Sequence, residues 1–415
     1  MSAVADRVLI TVFDGLRPDM IAGRMQHLDA FASGAARFTG ARSIFPSLTR
    51  VATTAIGSGQ WPRVHGIVGN AFHQPDIVAG GALDTSNFDH VAKARTAWGG
   101  RVVQPLTLGE RLAAAGRRMA VLHGGSAGSA FLINPEVAAN GHWTFSTHGE
   151  GATQTPEAVA QVVGAHGPLP GGDIPKFAVV DYLAEAAMAQ ALAEDGPDVV
   201  LVWFPEPDTS FHYRELGSAD TRAVMEAVDT AFGRLLDAAT SGPRGARTAV
   251  LALSDHGQIT TAGSWDIEAA LRAAGLAAAV KPAEGDRLAL TRGAMGEVRA
   301  LDGDAALVRE AAAFLMTQDE VGMVFARNDL AETLPGTLPL SAVMLDHPRA
   351  PALAYVMRSD TGPDKYGLPG QGLITGGGVP VGGGMHGGLN RHELSTVLLA
   401  RAPGMEAGFA DDRPC

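Results

Sequence analysis

Residues 8–15 read VLITVFDG. The first six are apolar apart from one Thr, with no polar–apolar alternation, and they stop at Asp14-Gly15. Such a short, nearly continuous apolar run is the pattern of a strand buried on both faces of a parallel sheet. The pattern recurs three times. Residues 119–123 read MAVLH. Residues 198–204 read DVVLVWF and lead through Pro205-Glu206-Pro207 to Asp208. Residues 248–253 read TAVLAL and lead through Ser254 to Asp255. Helical patterns alternate with these runs: Pro18 to Ser33, Thr107 to Ala115 closed by Gly116, the Ala-rich Phe177 to Leu192, and Thr221 to Ala239. In the last, Val224, Val228, Phe232, Leu235 and Leu236 share one face. The alternation predicts an α/β fold with a mostly parallel central sheet and helices on both faces.

The chain of 415 residues, 46% apolar, is long enough for one large domain with an inserted cap, or for two domains. Residues 258–384 are less regular. They hold strand candidates at 287–290, 297–301 and 352–356, a helix at 305–317, and dense Pro and Gly from 362 onward. The expected division is a catalytic core of 1–257 with 385–415, and a cap subdomain inserted within 258–384. Residues 71–103 and 134–176 read as loop-rich excursions over a site.

Lys and Arg number 32 against 44 Asp and Glu, a net charge of −12, and no basic run is present. That argues against a nucleic-acid duplex or an anionic membrane surface as partner and leaves a small-molecule substrate. The single cysteine, Cys415, provides neither a disulfide framework nor a thiolate metal site. No stretch has the charged and apolar regions of a leader or the length of a bilayer span. A cytoplasmic location is expected, with a processed periplasmic or secreted form as the alternative. Composition gives no oligomeric state.

Ligands of open α/β sheets bind beyond the carboxyl ends of the strands. Asp14, Asp208 and Asp255 all follow strand ends, and three carboxylates on one edge repel each other unless cations sit among them. Histidines accompany them. His212 is four residues after Asp208, His256 is adjacent to Asp255 in SDHG, and His386 lies in GGGMHGGLN, where glycines permit close backbone approach. Mixed Asp/His ligation suits divalent cations, zinc first, with manganese or iron as alternatives. Residues 45–70, FPSLTRVATTAIGSGQWPRVHGIVGN, place Thr49 at the start of a short helix over Val51 to Ile56. A hydroxyl there sits among unpaired N–H groups and suits either a helix cap or a nucleophile.

Taken together, FDGLRPD, FPSLTR with PRVHGIVGN, EPDTSFH, SDHG and MHGG resemble the alkaline phosphatase superfamily, and within it the nucleotide pyrophosphatase/phosphodiesterase branch. The matching segments run from residue 8 to about residue 400. The resemblance implies a two-metal hydrolase of phosphodiester or pyrophosphate bonds with a covalent phosphothreonine at Thr49; Ser47 and Thr53 are weaker candidates. It implies one metal on Asp208, His212 and His386, and another on Asp14, Asp255, His256 and the Thr49 oxygen. Asn70 and the backbone N–H of Arg50 would hold a non-bridging oxygen. The Arg50 side chain is expected on the helix surface or paired with an acid, so neutral Asn70 favours a monoanionic diester over a monoester; an inward-turned Arg50 would reverse this and make a phosphomonoesterase the alternative.

Phosphonoacetate hydrolase is the nearest rival. It needs cations for a carboxylate, and the loop HGGSAGSAFLINP (123–135) has none. That loop and Phe131 are candidate pocket lining, with a core position for Phe131 the other reading. A phosphomutase and a catalytically silent relative are further alternatives. Glu206 is read as either a support for the metal ligands or a solvated acid. His65 is read as a turn residue, and His123, His142, His148 and His392 have no evident partner.

Overall fold

A computed structural model describes residues 5–376 and 378–415. Residues 1–4, assigned above to the core, and Gly377, assigned to the cap, lie outside the described residues. The apolar run of residues 8–13 forms β1 (Arg7–Phe13), at the centre of an eight-stranded sheet. The other members are β2 (Ala36–Phe38), β3 (Met119–His123), β4 (Trp143–Ser146), β5 (Val199–Phe204), β6 (Thr248–Leu253), β7 (Leu398–Arg401) and β8 (Ala410–Asp411). Their order is β8-β2-β7-β6-β1-β5-β3-β4. Neighbours from β6 to β4 are parallel, and β7 pairs antiparallel with β6 and β2.

Both sheet faces are covered, as the lack of alternation requires. Leu9, Phe13, Val202, Phe204 and Val250 face one core. There they meet α1 (Gln26–Gly34), α3 (Phe177–Ala186) and α5 (Ala219–Thr240), with the Phe232 ring edge-on to Phe13 and Phe31. Val12, Val121, Leu201 and Trp203 face the other core, against Ile133 and Ile56 of α2 (Thr49–Ser58). The short α4 (Asp208–Arg214) follows β5. Among the described residues no helix is long and apolar enough to cross a membrane.

Residues 258–397 intervene between β6 and β7. They build a six-stranded sheet in the order Ala278–Ala279, Leu288–Leu290, Met295–Ala300, Leu353–Met357, Val321–Ala326, Leu338–Pro339, with its own core around Val298, Leu315, Val324 and Tyr355 and the helix Ala305–Met316. A four-stranded sheet of Ser359–Pro363, Pro369–Thr375, Ile259–Trp265 and Gly384–Met385 adjoins it.

Three sequence expectations need revision. The helix expected over 18–33 is broken into a 3-10 turn, Pro18–Met20, and α1, with Gly23 left-handed between them (φ 72°). Residues 71–103 contain a hairpin, Ala71–His73 with Ala82–Asp84, and a helix, Phe88–Ala97, capped by Asn87. Residues 134–176 contain β4 and the helix Pro156–His166.

Candidate active site

The sheet register brings the three aspartates together. Phe13 is level with Phe204, and Val12 with Leu253, so β1, β5 and β6 end at one edge. The Asp14 N–H donates to the Phe204 carbonyl at 3.2 Å, and the Asp208 N–H to the Asp14 carbonyl at 3.0 Å. Glu206 is fully buried and shapes the turn between them. Its carboxylate accepts from Lys176 N–H and Ser210 N–H, both at 2.9 Å, and from the Ser210 hydroxyl at 3.0 Å. It is a support for the start of α4, not a solvated acid.

Three imidazoles close around these carboxylates in the same way. His256 Nδ1 lies 3.1 Å from the Gly257 carbonyl, His212 Nδ1 2.6 Å from that of Gly384, and His386 Nδ1 2.7 Å from that of Ser47. A carbonyl only accepts, so each Nδ1 carries the proton and each Nε2 lone pair is left for the interior. His212 Nε2 is 3.3 Å and His386 Nε2 3.6 Å from Asp208 Oδ1. His256 Nε2 is 3.3 Å from Asp255 Oδ2 and 3.5 Å from Asp14 Oδ1. Two sets have ligand atoms all within 4.8 Å of one another: Asp14, Asp255 and His256, and Asp208, His256 and His386. His256 thus belongs to both sets, where the resemblance assigns it to one, and His212 joins through Asp208. The His256 and His386 rings stack 3.6 Å apart.

The cluster lacks positive charge. Asp14 Oδ1 and Asp255 Oδ2 are buried with no hydrogen-bond partner. Burial pushes Asp14 well above the ordinary carboxylate range, with Asp255 and Asp208 adding repulsion. Burial also raises Asp255, against the opposing pull of His256. Burial would raise Asp208 too, but its pairing with His212 outweighs that, holding Asp208 low and raising His212 against its own burial. Burial and the neighbouring His256 push His386 well below the usual imidazole range. Two orphaned carboxylate oxygens beside His256 Nε2, with Asp208 beside the Nε2 atoms of His212 and His386, are the donor set of a divalent-cation site.

Thr49 opens α2, and its hydroxyl lies 3.1 Å from His256 Nε2. Of the alternative hydroxyls, Ser47 donates to the Gly388 carbonyl and Thr53 is fully buried. The Ser47 oxygen also accepts from Gly387 N–H at 3.0 Å, tying the Thr49 segment to the His386 segment. That junction is crowded: a Cβ on Gly387 would stand 2.8 Å from Leu48 Cδ2, and nearby a Cβ on Gly383 would stand 2.1 Å from the His212 carbonyl.

Thr49, Asn70, Asp208, His212 and His386 open on a cavity of about 580 Å³, whose wall also includes Arg50, Lys176, Arg292 and Glu297. Two expectations about this wall fail. The Arg50 N–H donates to Asn70 Oδ1 at 3.1 Å, so it fixes the amide and leaves Asn70 Nδ2, not itself, for a ligand. The Arg50 side chain lines the cavity, its Nε buried without an acceptor, instead of lying on the surface or pairing with an acid.

A family model described as type I phosphodiesterase / nucleotide pyrophosphatase matches residues 8–369. The chain belongs to the type I phosphodiesterase/nucleotide pyrophosphatase family. It is a hydrolase of the alkaline phosphatase superfamily. No curated protein matches the chain. Solved structures with the same fold include human ectonucleotide pyrophosphatase/phosphodiesterase 5, at 15% identity and TM-score 0.66. The murine protein, as an inactive threonine-to-alanine variant in complex with AMP, is similar at 15% identity and TM-score 0.65. Phosphonoacetate hydrolase from Sinorhizobium meliloti 1021, in complex with phosphonoformate, is similar at 18% identity and TM-score 0.64. Each comparison covers 98% of this chain and 91% of the other.

In this phosphodiesterase-family chain the 123–135 loop does not line the cavity. Phe131 is buried edge-on to Phe88 and is a core residue. His65 accepts from Ile67 N–H and is pushed down to about 3 by burial, which suits a turn residue. His123 is likewise pushed down to about 3 by burial and stacks on Trp203. His142, His148 and His392 bond to Arg117, Gly125 and Arg17, away from the cluster.

Sequence reasoning missed two supports. The Trp203 indole donates to Asp14 Oδ2 at 2.9 Å, and the Gln258 amide donates to Asp208 Oδ1. Gln258 follows SDHG directly, and that adjacency was the available signal. Trp203 carried none, since nothing within an apolar strand marks which indole meets an acid.

Proposed function

We propose that this chain hydrolyses phosphodiester and pyrophosphate bonds through a covalent phosphothreonine at Thr49, between two divalent cations. The observation that carries the reading is the three imidazoles, each with Nδ1 on a carbonyl and Nε2 within 3.6 Å of an aspartate oxygen, with His256 Nε2 beside both the orphaned oxygens of Asp14 and Asp255 and the Thr49 hydroxyl. Asp14, Asp255, His256 and the Thr49 oxygen would hold one cation, and Asp208, His212 and His386 the other. Zinc suits this donor set, with manganese or iron as alternatives. When bound, such cations lower the pKa of a nearby hydroxyl and neutralise charge on a departing oxygen.

The rest is done by side chains. Thr49 Oγ1 gives up its proton and bonds to phosphorus as the bond to the leaving oxygen breaks. The α2 N-terminus favours the anion that Thr49 becomes. Asn70 Nδ2, held by the Arg50 N–H on its Oδ1, donates to a non-bridging oxygen as charge builds there. Water then attacks the phosphorus held on Thr49, the bond from Oγ1 to phosphorus breaks, the product departs as a phosphate monoester, and a proton returns to Thr49. The inactive threonine variant among the structural neighbours supports this role for Thr49. We assign the six-stranded sheet and its surroundings, within 258–384, as a cap, since Glu297 and Met295 from it complete the cavity.

A phosphonoacetate-hydrolase-like activity is the second reading. The cations absent from the 123–135 loop are supplied to the cavity by Arg50, Lys176 and Arg292. The test is acid quenching during turnover of bis(4-nitrophenyl) phosphate, with peptide mass spectrometry. A 4-nitrophenylphosphoryl group on Thr49, and no turnover by Thr49→Ala, is the expected result. Turnover surviving Thr49→Ala would contradict the mechanism, and turnover of phosphonoacetate alone would select the second reading.

A further inference from the structure

Arg50 is the one side chain in the cavity whose placement contradicts the sequence reading, and its surroundings are unusual. It follows Thr49 directly on α2 and lines the cavity beside Thr49, Asn70 and His386. Its Nε is sealed from water with no acceptor. Among the described residues its guanidinium has no hydrogen-bond or ion-pair partner. The acids whose charge it feels are Asp84 first, then Asp14, Asp208 and Asp255. Asp84 turns one oxygen to the Ser86 N–H at 2.8 Å. By contrast Arg292, on the same wall, is paired with Glu268 at 3.2 Å. A guanidinium stays charged in a protein, and leaving its donors unmet in a partly dry wall is costly.

We propose that Arg50 is a specificity-determining residue that binds a non-bridging oxygen of the transferred phosphoryl group, and so admits dianionic phosphomonoesters to this site. This rests on the phosphoryl-transfer reading above. A monoester presents three non-bridging oxygens. The acid–imidazole cluster faces one, Asn70 Nδ2 takes a second, and the Arg50 fork takes the third. In a diester the third position carries the second ester substituent, and Arg50 then meets a neutral group. A planar fork with parallel N–H donors suits a phosphoryl oxygen pair better than any neutral amide.

The experiment compares 4-nitrophenyl phosphate with bis(4-nitrophenyl) phosphate on the metal-loaded full chain, for wild type, Arg50→Gln and Arg50→Lys. With the charge-assisted bonds lost, kcat/KM of Arg50→Gln falls about 100-fold on the monoester and only about 5-fold on the diester. Inhibition by inorganic phosphate weakens in step with the monoester loss. Arg50→Lys, which keeps the charge, recovers part of both and guards against misfolding. Equal losses on the two esters, or unchanged phosphate inhibition, would overturn the assignment. Turnover of neither ester by the wild type would instead sink the phosphoryl-transfer reading, and this inference with it.

Discussion

Glu297 provides a quantitative test of how the cavity wall is built. It sits on the strand Met295–Ala300, is 2% exposed and lines the cavity. One oxygen accepts from His73 N–H, and the other has no partner. Burial pushes its carboxyl up to about 7, against the opposing effects of Arg299 and the His73 N–H. From an ordinary value of 4.5, that is a rise worth about 3 kcal/mol at about 1.4 kcal/mol per unit. The sign follows from linkage. A carboxyl with a raised folded-state pKa is tolerated below about pH 4.5, and its stability contribution is lost as pH climbs through about 7. Glu297→Gln keeps the shape and the bond from His73 but removes the ionisation. At about pH 5 the variant and wild type should have nearly equal stability. At about pH 8.5 the variant should be more stable by about 1 to 3 kcal/mol, with the upper figure a ceiling because the cavity admits some water. Urea midpoints at the two pH values measure this, and comparing the two proteins at each pH cancels other groups, such as Glu393, that also titrate near 7. An equal difference at both pH values, or a less stable variant at about pH 8.5, would refute the reasoning.

Three further outcomes follow from named contacts. Ser47→Ala removes the hydroxyl that joins Gly387 N–H to the Gly388 carbonyl, and should cost about 1 to 2 kcal/mol and lower metal retention on dialysis, read by elemental analysis. Trp203→Phe strips Asp14 of its indole donor, and should weaken metal affinity by about 10- to 100-fold, read by competition with a chelating dye. Phe131→Ala should lower stability by about 3 to 5 kcal/mol yet leave KM for a phosphodiester unchanged, since the ring packs on Phe88 away from the cavity.

The sheet and the acid–imidazole cluster were legible because each ligand is tied to a feature that sequence displays. Asp14, Asp208 and Asp255 each follow an unbroken apolar run, and parallel register carries such runs to a common edge. His212 and His256 ride on the same turns. His386 was legible through its glycines, which the crowding at Gly383 explains. What stayed hidden depends on packing between distant segments. Arg50 looked like a surface residue because nothing in the helical pattern of 49–58 shows that this part of α2 borders a cavity walled by residues as distant as Lys176 and Arg292. The 123–135 loop was a candidate for pocket lining, with Phe131 equally readable as core, because the true wall, with Glu297 and Lys176, comes from elements far along the chain. The strands Ile259–Trp265 and Pro369–Thr375 were unreadable because Gly and Thr replace the apolar runs that mark the central sheet.

The central claim is that two cations sit between these acids and imidazoles, next to the Thr49 oxygen. Anomalous diffraction from crystals of the zinc-loaded protein tests it most directly. Two peaks are predicted, one touching Asp14, Asp255 and His256 and the other Asp208, His212 and His386. No peak at the cluster, or ions held only elsewhere on the surface, would contradict the account.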